Sequence, residues 1–522
     1  YAPSEIDGVT RRNFLQVMGA TLALAGAGAG CARQPKESIY PYVKQPEDIV
    51  PGKPMYFATA SPQGGYAKPV LAESHLGRPT KVEGLPDHAA SRGRTDAQTQ
   101  ASILDLYDPD RAQAFTRMGF ADSFDSFVKE AKQILDDARV NRGAGVRILS
   151  GSVTSPTLAS SVNEFLAVHP AAKWHQYEAA GRDNVRQGSR LAFGEYVDTL
   201  YHFDKADVIV SLDADFLDRG PANVRYTADY SARRDVVDHD DHGDDHGHGD
   251  QHLNRLYAFE SSPSNTGASA DHRFPVRPSQ IEAVARRLAS AVGANAPTSN
   301  DDGLDDSVKD AIAKIAADLS GHRGHAVVIA GDHQPPVVHQ LAHAINSRID
   351  ATVSYIPSVE VGATNQMASL SELVADMRDG KVAMLLVFGV NPVYTAPADL
   401  DFLEALKNVP FRAAISRYMD ETARHCHWHL PELHYLESWG DIRAFDGSVS
   451  VIQPLIAPLY SGTTAIEVLS ALTEQEPRSS YDIVMDYWKK QRGENGFDAF
   501  WRQSLADGVI ANTAFRTASV SY

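Results

Sequence analysis

The sequence predicts an α/β protein of two doubly wound parallel-sheet lobes, with a small strand-rich region ahead of them. Three observations carry this. Short apolar runs that end at glycine are followed by helical patterning, and the unit recurs. The recurrences form two clusters, about residues 143–290 and 320–470. The chain has 522 residues, 43% hydrophobic and 22% charged, enough for large buried cores in an ordinary globular composition. Strands alternating with helices make parallel sheets covered on both faces, and such sheets bind ligands at the carboxyl ends of their strands.

The elements follow in order. Arg11-Arg12 before a Gly/Ala-rich apolar run reads as a twin-arginine export signal over residues 1–31, with Cys31 as a candidate lipidation site after Gly28-Ala29-Gly30. Residues 32–54 are Pro-rich and charged, a tether. Residues 55–120 form the small strand region, with strands at Met55–Ala58, Val70–Ser74 and Pro79–Gly84. The first lobe is expected over 121–318. It opens with an amphipathic helix at 122–139, followed by strands at Val146–Gly151, Ala206–Leu212 and Leu256–Glu260. The second lobe is expected over 319–475, with strands at His325–Gly331 and Val382–Phe388 around a helix at Pro336–Asn346. Residues 476–522 read as a helical segment.

Net charge is −18, which argues against nucleic acid as a partner. Beyond the signal, no apolar run is long enough to span a membrane. The two cysteines, Cys31 and Cys426, cannot hold an iron–sulfur cluster or form a disulfide framework.

Several segments occur in an order that resembles the molybdopterin oxidoreductases. They are Glu73–His88, Leu106–Arg111, Gly389-Val390-Asn391-Pro392, Glu421-Thr422-Ala423 with Leu430-Pro431, and Glu437–Gly447. The phrases Ile103–Arg111 and Trp439–Gly447, with Glu5–Val9 ahead of the signal, are similar to one subgroup, the molybdopterin-oxidoreductase-like subunit of bacterial alternative complex III. The resemblance covers about Met55–Leu472. It implies the fold of the DMSO reductase superfamily and membership of a membrane complex that oxidises quinol in respiratory or photosynthetic electron transfer.

The departures bear on cofactors. Active relatives carry cluster cysteines ahead of the first motif, a Cys and Lys-Gly after it, and a Gly and Asp that hold a guanine at the sheet end. Here the corresponding stretches read Arg92-Gly93-Arg94-Thr95-Asp96 and Arg277-Pro278-Ser279-Gln280. Arg94, Thr95, Asp96, Arg277, Ser279, Gln280 and Asn391 are thus the expected remnant of a pterin region. Arg94, Arg277 and Gln280 are expected to narrow the cleft. The resemblance then implies a cofactor-free scaffold at the periplasmic face of the cytoplasmic membrane. Iron–sulfur clusters and haem would belong to partners: an iron–sulfur domain or subunit (beyond Tyr522 or on another chain), a multihaem cytochrome c subunit, and quinol-binding membrane subunits. The alternative is an active molybdenum or tungsten bis-pterin oxidoreductase.

Three histidine groupings stand outside these motifs. Residues 238–252 are a low-complexity insertion in which His239, His242, His246 and His248 could bind metal, although no apolar residue fixes their geometry. His425-Cys426-His427-Trp428-His429 reads as strand packing, because one strand cannot wrap an ion. His333, His339 and His343 could line one side of a loop and helix, without the Glu of an H-E-x-x-H site. Ser150-Gly151-Ser152 and Gly331-Asp332 read as strand-to-helix turns.

Overall fold

A computed structural model describes residues 50–234, 253–295, 303–474 and 476–522. Arg11, Arg12, Cys31 and the histidines of the 238–252 insertion lie outside the described residues. Pro51–Tyr522 form one compact unit, which contains all the described strands and helices.

The chain opens with an antiparallel sheet of β1 (Met55–Gln63), β2 (Tyr66–His75) and β3 (Arg78–Gly84). The helix Ala97–Leu106 packs on it, N-capped by Asp96, whose carboxylate accepts from Thr99 N at 2.7 Å. Next comes a seven-stranded sheet. The hairpin β4 (Thr116–Arg117) and β5 (Phe120–Ala121) forms its edge. Its parallel body holds β6 (Val146–Ser150), β7 (Lys173–Gln176), β14 (Met384–Phe388), β15 (Phe411–Ser416) and β16 (Trp428–Pro431), in spatial order 16-15-14-6-7.

Period-two alternation splits these strands between two cores. Val146, Ile148, Met384 and Leu386 face the helices Phe124–Ala138, Pro156–Val168 and Ala465–Thr473. Leu149, Leu385 and Val387 face Gln366–Arg378 and Phe402–Lys407. Both faces being buried, the strands read as continuous apolar runs rather than alternating ones.

The second parallel sheet has four strands: β9 (Val208–Leu212), β10 (Arg255–Glu260), β11 (His272–Pro275) and β12 (Ala326–Ala330), in order 11-10-9-12. One face packs on Ile281–Ala291, Asp306–Gly321 and Pro336–Arg348. The other packs on an aromatic cluster of Phe203, Phe216, Tyr226 and Tyr230. The remaining strands, β8 (Val197–Tyr201) with β13 (Val353–Pro357), and β17 (Gly440–Arg443), β18 (Val449–Ile452) and β19 (Val509–Ile510), form two small antiparallel sheets.

The two parallel sheets match the expected class, but the chain is divided between them differently. Residues 121–318 and 319–475 each contribute strands to both: β6 and β7 pair with β14 to β16, while β12 pairs with β9. The local grammar of strand, glycine and helix is the same in each sheet. Nothing in it records which apolar strand a given strand pairs with. Within 476–522, two helices, Ser480–Arg492 and Phe497–Asp507, precede the short β19.

Candidate functional site

A cavity of about 390 Å³ opens at the carboxyl edge of the four-stranded sheet, the end at which doubly wound sheets bind ligands. The turns after β9, β10 and β12 build its mouth, placing Asp213, Asp215, Ser261, Gly331, Asp332 and His333 there. Two of these turns touch. A Cβ on Gly331 would lie 2.2 Å from Asp213 O, so only glycine fits beneath the β9 turn. Asp213 itself sits at φ +56°, a left-handed conformation that Asp tolerates better than most residues.

Asp213 is held from three sides. Its carboxylate accepts from Ser261 N at 3.1 Å, His333 Nε2 at 3.0 Å and Gln334 Nε2 at 2.9 Å. Burial pushes its pKa up, but the His333 and Ser261 bonds outweigh that and hold it below the usual carboxylate value. The same bond to Asp213 raises His333.

Deeper in, the helix Pro336–Arg348 presents His339 and His343, each about 4% exposed. Burial pushes both pKa values down to about 3, so both imidazoles are neutral at physiological pH. Tyr201, Tyr226, Phe216 and Phe445 supply aromatic wall. Arg182 enters from the turn before the helix Asp183–Phe193. Its Nη1 donates to Asp198 at 3.2 Å, and its Nε lies 3.3 Å from Asp332 in ion-pair range without hydrogen-bond alignment.

Behind Arg182, a buried polar network connects the N-terminal sheet to the turns of the seven-stranded sheet. Arg186 pairs with Glu360 and, at 2.7 Å, with Asp183. Glu360 accepts from Tyr66 OH at 3.1 Å and from Gln366 Nε2 at 3.2 Å. Gln366 also donates to Ser152 Oγ at 2.8 Å, so this turn after β6 is engaged by protein. Both Ser150–Ser152 and Gly331-Asp332 are strand-to-helix turns, ahead of Pro156–Val168 and Pro336–Arg348.

The expected pterin remnants do not gather at the cavity; none of the seven lines it. Arg94 packs its backbone against Gly84, where a Cβ would lie 2.1 Å from Arg94 O. Thr95 Oγ1 is buried without a hydrogen bond. Asp96 caps its helix and stands 3.8 Å from Lys68 Nζ. Arg277 and Ser279 are exposed. Gln280 closes a 3₁₀ turn, accepting from Arg277 N at 2.9 Å and donating to Gly303 O at 2.8 Å. Asn391 ties its loop to the helix Glu421–Arg424, donating to Glu421 at 2.7 Å and accepting from Thr422 N and Oγ1. Arg94, Arg277 and Gln280 therefore do not line this cavity; the charged side chains of Arg182, from a turn, Asp198, from β8, and Asp332, from the turn after β12, do. Of the histidines, His333, His339 and His343 do line the cavity. Trp428 and His429 are buried in β16, and burial pushes the Cys426 thiol up to about 12, leaving it an inert packing group.

The residues present do not suit a pyrophosphate-bearing pterin dinucleotide. Four carboxylates, Asp198, Asp213, Asp215 and Asp332, line the cavity against two guanidiniums, Arg182 and Arg219. Arg182 is already engaged by two of those carboxylates. An excess of carboxylates disfavours a diphosphate, which guanidiniums and backbone N–H groups favour.

Two parallel sheets of this topology, each covered by helices, make a molybdopterin-oxidoreductase-like α/β fold. Among solved structures, acetylene hydratase from Pelobacter acetylenicus shares it with a TM-score of 0.58 at 12% identity, over 80% of this chain and 69% of that one. Among curated proteins, the chain is similar to the menaquinone reductase, molybdopterin-binding-like subunit of Nitratidesulfovibrio vulgaris, 23% identical over 447 residues. That match takes in 76% of this chain and spans about 61% of the relative's length. No family model matches the chain.

Proposed function

We propose that the chain is a subunit of a membrane-associated quinone or quinol oxidoreductase complex, of the alternative complex III kind, and that it serves there as a cofactor-free scaffold. The name of the curated relative supports the complex. The observation that carries the cofactor-free role is the charge balance of the cavity, four carboxylates against two guanidiniums, at the edge where an anionic cofactor would lie. In this reading the scaffold holds an iron–sulfur module, a multihaem cytochrome c subunit and quinol-binding membrane subunits within electron-transfer distance. Arg11 and Arg12 would direct it to the periplasmic face, with Cys31 available for acylation. Among the described residues no helix is long and apolar enough to cross a membrane.

The alternative, an active molybdenum or tungsten bis-pterin enzyme, is favoured by one observation, the open cavity itself. Elemental analysis of the purified complex, with fluorescence of oxidised pterin after acid release, separates the two. Molybdenum, tungsten and pterin all well below one per chain are expected. A stoichiometric metal with pterin would overturn the scaffold reading.

A further inference from the structure

We propose that the cavity at the carboxyl edge of the four-stranded sheet binds an organic cation, an ammonium or guanidinium group carried on an apolar stem. The inference rests on the reading of that edge as free of pterin and deepens it: the space has changed the charge of its ligand.

The lining carries four carboxylates and two guanidiniums, an excess of two negative charges. One remains when His333 is protonated against Asp213. Partly water-excluded walls strengthen such a field, and the excess selects the sign of what enters. The carboxylates are spread over separate turns. Among the described residues no three or more His, Cys, Asp or Glu side chains converge as a metal site. The field therefore suits an extended cation better than a coordinated ion.

The walls agree with that chemistry. Tyr201, Tyr226, Phe216 and Phe445 line the cavity with aromatic rings, Tyr226 sitting edge-on to Tyr201 at 5.8 Å and to Phe445 at 5.7 Å. Aromatic faces attract ammonium and guanidinium groups, and their apolar surface accepts an alkyl stem.

An independent observation points to a missing ligand atom. His339 lines the cavity and is 4% exposed; its ring approaches the backbone of Gln334 and Gly331, and its Nε2 is buried with no hydrogen bond of good geometry. Buried polar atoms in folded proteins are nearly always paired, so an orphan beside a cavity marks where a ligand or water completes the bond. A neutral imidazole protonated on Nδ1 accepts at Nε2, which an N–H of the cation satisfies. The cation could be a free amine or a basic side chain of a neighbouring subunit, and the chemistry of recognition is shared.

Calorimetric titration of the purified protein at low salt tests this with three probes. They are agmatine, a capped Gly-Gly-Arg-Gly-Gly peptide, and guanosine diphosphate. Saturable binding of agmatine or the peptide is expected, weakened roughly tenfold by Asp332→Asn and by Asp215→Asn, and by raised salt. His339→Phe is expected to weaken it severalfold without changing charge. Thermal unfolding of each variant confirms folding. Tighter binding of the peptide assigns the source to a neighbouring chain, and tighter binding of agmatine to a free amine. Either result supports the proposal. No saturable binding by either cation, or binding indifferent to all three substitutions, overturns it and leaves the scaffold reading intact. Binding of guanosine diphosphate more tightly than either cation overturns both.

Discussion

The Arg111 guanidinium and the Glu437 carboxylate, 326 residues apart in sequence, form a buried ion pair between the segment following the helix Ala97–Leu106 and the loop joining β16 to β17. Arg111 Nη1 donates to Glu437 at 3.2 Å and to Leu106 O at 2.8 Å. Glu437 also accepts from His434 N at 3.0 Å and Leu459 N at 2.9 Å. Both residues lie in segments that resemble molybdopterin oxidoreductase motifs, and in this chain they tie two distant loops together.

Removing one partner leaves a buried charge without compensation, typically at a cost of about 3–5 kcal/mol. Glu437→Ala is expected to lower the unfolding free energy by that amount in denaturant titrations. The double change Arg111→Met with Glu437→Leu is expected to recover most of it. Equal losses in the single and double variants would show that the pair is not coupled.

Asp441, in the same segment as Glu437, acts similarly. Its fully buried carboxylate accepts from Ser155 Oγ at 2.6 Å, Thr157 N at 3.1 Å, Thr157 Oγ1 at 2.6 Å and Trp488 Nε1 at 2.9 Å. It thereby fixes the N-terminus of the helix Pro156–Val168 and docks the helix Ser480–Arg492 onto β17. Asp441→Ala orphans four donors and is expected to cost about 3 kcal/mol. Trp488 fluorescence should report it as a red shift, which a surface role for Asp441 would not produce.

The fold was legible because apolar strands buried on both faces are short continuous runs closed by glycine, as in Val146–Ser150 and Ala326–Ala330. Their pairing was not, because sheet order depends on contacts between strands more than two hundred residues apart, such as β6 with β14. The motif residues Arg111, Asn391, Glu437 and Asp441 were visible, but as signs of a resemblance. Their work as ion-pair and capping partners appears only once distant loops meet. Arg182, Asp198 and Asp213 were invisible for the same reason: each is an ordinary charged residue in a turn or near a strand terminus. The histidine triplet at 333, 339 and 343 and the Gly331-Asp332 turn are the sequence signals that fall at the cavity.

Lys68 gives a stability signature on the alkaline side. It is buried in β2, with Nζ donating to Pro221 O at 3.1 Å and lying 3.8 Å from Asp96. Burial pulls its pKa down to about 8, against the opposing pull of Asp96. The unfolded chain keeps this proton up to about pH 10.4, so between about pH 8 and 10 it binds more protons than the folded one. Stability from this site therefore rises with pH across that window, by up to ~1.4 kcal/mol per pH unit. The stability difference between the native chain and Lys68→Met should shift in favour of the native chain from pH 7.5 to 9.5. A constant difference would contradict a buried, charge-disfavoured lysine.

On the acid side, four buried histidines act together. Burial is the leading cause in each, pushing His88 down to about 4, His339 and His343 to about 3, and His434 to about 2. Geometry independently requires two of them to be neutral. His434 Nδ1 accepts from Leu436 N at 3.2 Å while its Nε2 donates to Ser102 O at 3.2 Å, and His88 Nδ1 accepts from Ala90 N at 3.1 Å. A proton on either Nδ1 would break a buried backbone bond. Below pH 6.5 the unfolded chain takes up protons at these sites and the folded chain does not, so stability falls as pH falls from 6.5 towards the folded values. Each histidine contributes about 2 kcal/mol of loss by pH 5. His333 runs the other way. Its raised pKa adds stability below 6.5 that is lost as pH rises through the folded value, so it offsets part of one histidine. Urea unfolding at pH 7.5, 6 and 5 should show a loss of several kcal/mol, and His434→Gln should flatten the profile by about one proton's slope. A profile level from pH 7.5 to 5 would mean that these imidazoles are protonated in the folded chain and that the cavity's neutral floor is misassigned.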